Sequence, residues 1–140
     1  MLLEKGTVDI LIYILGSEHL EVVEQAIWGL GNIAGDNYKV RDMVIASGAI
    51  PPIANILDKS TPGNSLVRNA SWALSNFCRG RPQPDFNKIN RAIHSLAKVL
   101  IENDNEDILI DVCWAMSYVS DGGESRIPFI LSTNVLPRII

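Results

Sequence analysis

Apolar residues recur three and four positions apart along this chain, the spacing of one face of a helix. Residues 7–15 (Thr-Val-Asp-Ile-Leu-Ile-Tyr-Ile-Leu) read as a short amphipathic helix stopped by Gly16. The same helix is predicted from Ala49 to Leu57, from Ala92 to Leu100, and from Val135 to the end of the chain. Val8, Ile50, Ile93 and Leu136 share one register position, and Leu11, Ile53, Leu96 and Ile139 share another, in steps of 42, 43 and 43 residues. Periodicity inside each stretch and agreement between stretches point the same way.

A longer helix lies between these, predicted at 21–34, 65–78 and 107–120. Each copy carries one of the three tryptophans, Trp28, Trp72 and Trp114, spaced 44 and then 42 residues apart. Shorter helices are expected at 38–46, 85–91 and 124–131. Breaks fall at Gly16-Ser17, Gly35-Asp36-Asn37, Ser47-Gly48, Thr61-Pro62-Gly63-Asn64, Arg81 to Asp85, and Asp121-Gly122-Gly123, all rich in turn-forming residues. Three helices in about 42 residues is the repeat of an armadillo-type solenoid. The expected fold is therefore all-α, a right-handed superhelix of about three repeats within one domain. Residues 1–16 would be a partial repeat, 17–58 and 59–101 repeats, and 102–140 a partial to full repeat. Such units bury their apolar faces against stacked neighbours, and the apolar Met1-Leu2-Leu3 and Ile139-Ile140 call for cover from further repeats or a partner.

On the Trp-bearing helices, the residues three before and four after each indole share its stripe. The stripes read Gln25, Trp28, Asn32; then Asn69, Trp72, Asn76; then Asp111, Trp114, Tyr118. Small and apolar residues (Ala26, Ile27, Leu30, Ile33; Ala70, Leu74, Phe77; Val112, Met116, Val119) hold the other faces for the core. Amides left unpaired in a core cost roughly 1–3 kcal/mol each, so the stripe is expected to face solvent. Packed helices lie roughly 8–10 Å apart, while alternate residues of an extended peptide repeat about every 6.6–6.8 Å. A peptide can thus cross the helices as a ladder, with amides on its backbone and indoles forming slots for aliphatic stems. A lysine or arginine in such a slot gains roughly 0.5–2 kcal/mol of cation–π attraction.

Charge supports a basic ligand. The formal net charge of −4 argues against nucleic acid and against an anionic membrane surface. Asp36 and Asp121 end the first and third Trp helices, where helix carbonyls also favour a cation. Asp111 and Asp107 precede Trp114 by one and two turns, whereas Arg79 at the end of the second copy breaks the acidic pattern. Cys78 and Cys113 lack CxxC spacing and read as buried, reduced thiols of a cytosolic or nuclear protein. Nothing resembles a signal peptide, and the longest apolar run, Ile10–Leu15, is too short to span a bilayer.

The strings Trp28-Gly-Leu-Gly-Asn32-Ile-Ala-Gly-Asp36, Trp72-Ala-Leu-Ser-Asn76-Phe-Cys-Arg79-Gly80 and Asp111-Val-Cys-Trp114-Ala-Met-Ser-Tyr118-Val-Ser-Asp121-Gly122 resemble importin-α, the armadillo-repeat adaptor of nuclear import. The similarity runs essentially the whole length. It implies that Trp28, Asn32, Trp72 and Asn76 belong to a site for lysine-rich nuclear localisation signals. Asp36 would take the central lysine, Gln25 and Asn69 would flank it, and Trp114 with Asp111 would extend the groove. Tyr118, Asp107, Asp121 and Arg79 are further candidate contacts. The family's additional Trp-Asn unit and its basic segment for importin-β are not in this sequence, so coupling to importin-β is expected only where such a segment exists. The implied location is cytoplasm and nucleus.

Other readings fit less well. His19 and His94 stand 75 residues apart with no carboxylate or thiol at ligand spacing, so neither catalysis nor a metal is expected. Gly29-x-Gly31 lacks the strand and third glycine of a dinucleotide fingerprint; its glycines suit close helix packing instead. No cofactor is expected. A catenin-like scaffold for another protein keeps the fold, but such grooves resemble basic channels for acidic ligands, opposite to the balance here.

Overall fold

The computed structural model describes residues 5–123 and 126–133. Eight helices and no strands are found among them: α1 Lys5–Ile14, α2 Leu20–Ala34, α3 Tyr38–Ala46, α4 Ile50–Lys59, α5 Ser65–Cys78, α6 Phe86–Glu102, α7 Glu106–Ser120 and α8 Arg126–Ser132. The helix expected from Val135 onward, with Leu136 and Ile139, lies outside the described residues, as do Met1-Leu2-Leu3.

Local chemistry sets the starts. The side chains of Asn37, Asn64, Asp85 and Asn105 accept hydrogen bonds from the N–H groups of Val40, Leu66, Asn87 and Ile108, capping α3, α5, α6 and α7. Pro51 and Pro52 open α4, where their missing N–H groups cost nothing. Asp104 to Asp107 is the start of α7, with Glu106 and Asp107 in its first turn.

One expected boundary is absent. The stretches 85–91 and 92–100, read as two helices, form the single helix α6. In the preceding unit Ser47-Gly48 separates α3 from α4, and Gly48 adopts φ +91°, a left-handed conformation. Asn90 and Arg91 hold the corresponding places and both continue a helix. Arg91 also donates to Asn55 Oδ1 (2.9 Å) and Asp58 Oδ2 (2.7 Å), tying α6 to α4.

The Trp helices stack side by side, α2 on α5 and α5 on α7, and these are the most extensive pairings in the molecule. Behind them α4 packs on α5 and α6, and α6 on α7, while α1 backs α2. Val8, Ile50, Ile53, Ile93 and Leu96, the register positions of the short helices, are buried together with Ile27, Leu30, Leu74, Phe77, Val112 and Val119 of the Trp helices. The result is one continuous apolar core rather than one per repeat. No single helix among the described residues is long and apolar enough to cross a membrane.

Two polar side chains inside this core fix the connections. Arg41 of α3 is 1% exposed. Its guanidinium donates to the carbonyls of Arg79 (2.8 Å) and Pro82 (2.6 Å), clamping the segment that follows α5. Buried Asn103 accepts from the Gly63 N–H (2.8 Å) and donates to the Val99 carbonyl (3.1 Å), pinning the loop before α5 to the end of α6. Arg41→Met removes the clamp while leaving several carbonyls unpaired. We expect a loss of about 2–4 kcal/mol of stability in urea unfolding.

The thiols differ from the sequence expectation. Cys78 is buried as expected, and burial pushes its pKa up to about 12 against the opposing pull of Arg126 and Arg41. Cys113 is exposed. Its counterparts Ile27 and Ser71 are fully buried, each covered by the next Trp helix in the stack. No further Trp helix follows α7 among the described residues, so the matching position stays open. Native protein should take up one equivalent of iodoacetamide, at Cys113, and a second only on unfolding; mass mapping of the alkylated peptides checks this.

Candidate functional site

The amide-and-indole stripe lies along the stacked α2, α5 and α7, but its members are not equivalent. Trp28 and Trp114 are 54% and 56% exposed, large values for indoles, whereas Trp72 is half-buried. The reason is Gly31. A Cβ at that position would lie 2.6 Å from Trp72 Cζ3 and 3.1 Å from the Ala73 Cβ, so only glycine leaves room for the Trp72 ring edge on α2. Gly29, by contrast, is in ordinary contact distance of Leu11.

The amides are less free than the sequence suggested. Asn76 donates to the Gly31 carbonyl at 3.1 Å, an oxygen that also accepts the Gly35 N–H. Asn69 donates to Glu24 in a short hydrogen bond from α5 to α2. Both amides therefore secure the α2–α5 contact and keep only part of their bonding capacity for a ligand. Gln25 and Asn32 are exposed.

Three adjoining cavities follow the stack. A cavity of about 380 Å³ is lined by Glu24, Gln25, Trp28 and Asn69. The next, about 340 Å³, shares Trp28 and Asn69 and adds Trp72, Asp107 and Asp111, with Arg68 and Ile110 at its walls. Ile110 and Trp114 also border a third cavity, of about 570 Å³, with Leu109, Cys113 and Ser117; the positions of α2 and α5 matching those last three are buried, so this cavity is the uncovered stacking face of α7. Trp28 and Trp72 thus border one channel, and Trp114 lies beyond Ile110 at its edge. The central cavity has the strongest electrostatics: Arg68 and Asp107 form an ion pair at 3.2 Å. Burial raises the Asp111 pKa above the ordinary carboxylate value; Arg68 opposes this and Asp107 adds to it.

The remaining candidates sit elsewhere. Asp36 is exposed, accepts from the Asn37 amide at 3.2 Å and lies one residue past Gly35, which stands beside the Asn76 amide. Asp121 is paired with Arg81. Arg79, Arg81, Asp121 and Tyr118 line a separate cavity of about 230 Å³ at the ends of α5 and α7. Tyr118 also stacks on Trp114, with ring centroids 5.9 Å apart and planes 23° from parallel. The side chains that sequence reasoning passed over are Glu24, Arg68 and Ile110. All three stand four residues before a tryptophan, on the same helix stripe, so the rule that found Gln25 and Asn69 reaches them when extended by one residue.

The seat of Trp72 is open to test. Gly31→Ala raises helix propensity by about 1 kcal/mol, yet its Cβ must drive the Trp72 ring outward. In a Trp28→Phe, Trp114→Phe background the emission of Trp72 should shift to the red, and stability should fall by about 1–3 kcal/mol.

Comparison with known proteins agrees with this fold. Residues 1–35 and 37–79 match the model of the armadillo/β-catenin-like repeat. Over all 140 residues the chain is 44% identical to importin subunit alpha-1b of Oryza sativa subsp. japonica and 42% identical to importin subunit alpha-2 of Arabidopsis thaliana. It is 36% identical to a probable importin subunit alpha-A of Dictyostelium discoideum, with 99% of the chain aligned. The chain spans about a quarter of the rice and Arabidopsis relatives, 26% of each. Among solved structures, a designed armadillo repeat protein in complex with peptide (KR)4 superposes with a TM-score of 0.81 at 24% identity, covering 95% of this chain and 55% of that one. A second designed armadillo protein, made for modular peptide recognition, gives 0.81 at 22% identity, again covering 95% of this chain and 55% of that one. The chain belongs to the armadillo repeat family, and its relatives matched over its whole length are importin α subunits.

Proposed function

We propose that this chain is a nuclear-import adaptor segment that holds lysine- and arginine-rich localisation signals in extended form along the α2–α5–α7 channel. One observation carries the reading: Trp28 and Trp72 border a single cavity whose other members include Asn69 and the carboxylates Asp107 and Asp111. Indole faces accept the methylenes of a lysine, the amide can bond the peptide backbone, and the carboxylates select a cation over an apolar stem. Gln25 extends the polar edge beside Trp28, and Trp114 extends the aromatic edge beyond Ile110. Asp36 and Asn32 add acceptors at the C-terminal end of α2. The importin α names of the relatives, and the (KR)4 peptide carried by a neighbour of the same fold, support a basic peptide as the ligand. Cytoplasm and nucleus are the corresponding locations. Association with importin-β belongs to this reading only where a basic N-terminal segment accompanies the chain.

The direct test is a fluorescence titration of the three tryptophans with a Pro-Lys-Lys-Lys-Arg-Lys peptide and with an acidic peptide of equal length. Tighter binding of the basic peptide is expected. Trp28→Ala should weaken it roughly fivefold to a hundredfold, the range of interface anchors, and Asp36→Lys should abolish it with helicity intact. Preference for the acidic peptide would instead favour a scaffold for acidic partners, and unaltered affinity in Asp36→Lys would remove that residue from the site.

A further inference from the structure

The central cavity already contains a cation. Arg68 projects from α5 into the same space as Asp107 and Asp111 of α7, one turn before Trp72 on its own helix. Its guanidinium pairs with Asp107 at 3.2 Å while more than half of each side chain remains open to solvent. An exposed pair of this kind is weak, and so can be opened by a ligand. Asp111 is more sheltered, and Arg68 is the positive group that acts on it. With both carboxylates ionised the trio carries one net negative charge.

Resting on the peptide-binding reading above, we propose that Arg68 is a built-in competitor for the central slot, occupying the carboxylates that a basic side chain of a ligand would use. A lysine entering between Trp28 and Trp72 shares Asp107 and Asp111 with a resident guanidinium and meets its repulsion. The slot therefore binds more weakly than its aromatic walls allow, and Arg68 sets the affinity threshold for basic peptides without touching their backbone. Asn69, the uncharged neighbour in the cavity, is held by Glu24 of α2 and leaves the charge balance to these three groups.

The experiment compares wild type, Arg68→Gln and Arg68→Lys with the same Pro-Lys-Lys-Lys-Arg-Lys peptide. Arg68→Gln should bind roughly twofold to fivefold tighter at low salt, the size of one weak ion pair, with a steeper salt dependence. Arg68→Lys, which keeps the charge, should stay near wild type. The gain should vanish when Asp107→Asn and Asp111→Asn are added, as expected of a coupled set. Carbon-detected NMR titration supplies a readout independent of peptide: the Asp111 carboxyl should titrate higher in Arg68→Gln than in wild type. Unchanged or weaker peptide binding by Arg68→Gln, or an unmoved Asp111, overturns the competition alone. Failure of every form to bind the peptide, with Asp111 shifted as expected, overturns the peptide reading and the competition with it.

Discussion

The approach of α5 to α2 at Gly31 is the contact on which the channel depends. An indole edge placed directly on a helix backbone brings two Trp helices closer than side chains on both would permit. Asn76 closes the same contact by bonding the Gly31 carbonyl, and Asn69 closes it further up through Glu24. Packing and hydrogen bonding thus fix the distance between neighbouring rungs before any ligand arrives. The cost of a mid-helix glycine, about 1 kcal/mol against alanine, is offset by the burial of a tryptophan ring. Preorganisation of this kind lowers what a ligand loses on binding.

The two roles of the asparagines follow from that geometry. An amide carries two donor hydrogens and an acceptor oxygen, so Asn76 can bond the Gly31 carbonyl of α2 and keep further bonding capacity. Trp72 divides its surface in the same way, with one edge against Gly31 and the rest lining the central cavity. Trp28 and Trp114 are seated differently: among the described residues no Trp helix precedes α2, and Ser75 of α5, not glycine, holds the place in register with Gly31.

Much of this was legible in the residues. The helices, their order, and the shared faces of Val8, Ile50 and Ile93 follow from spacing that repeats, because a solenoid core depends on local periodicity more than on distant pairings. The grouping of Trp28, Trp72, Asn69 and Asp111 was legible for the same reason. Three things were not. The fusion of α6 turned on a single missing glycine, weaker as a signal than the repeat that suggested a break. The clamp by Arg41 joins residues 38 and more apart, and nothing local marks an arginine for burial. The pairing of Asp121 with Arg81, and of Asp107 with Arg68, depends on how loops and helices from different units meet. Acidic residues counted along a sequence overstate the free negative charge of a surface.

The difference between the first and second units at Gly48 has a mechanical side. There α3 and α4 meet at 75°, joined by two residues and a left-handed glycine, so the unit has an elbow. The next unit has a single helix of 17 residues instead, tied to α4 by Arg91. The two units therefore back the Trp helices differently: a bent pair lies behind α2 and α5, and one continuous helix lies behind α5 and α7.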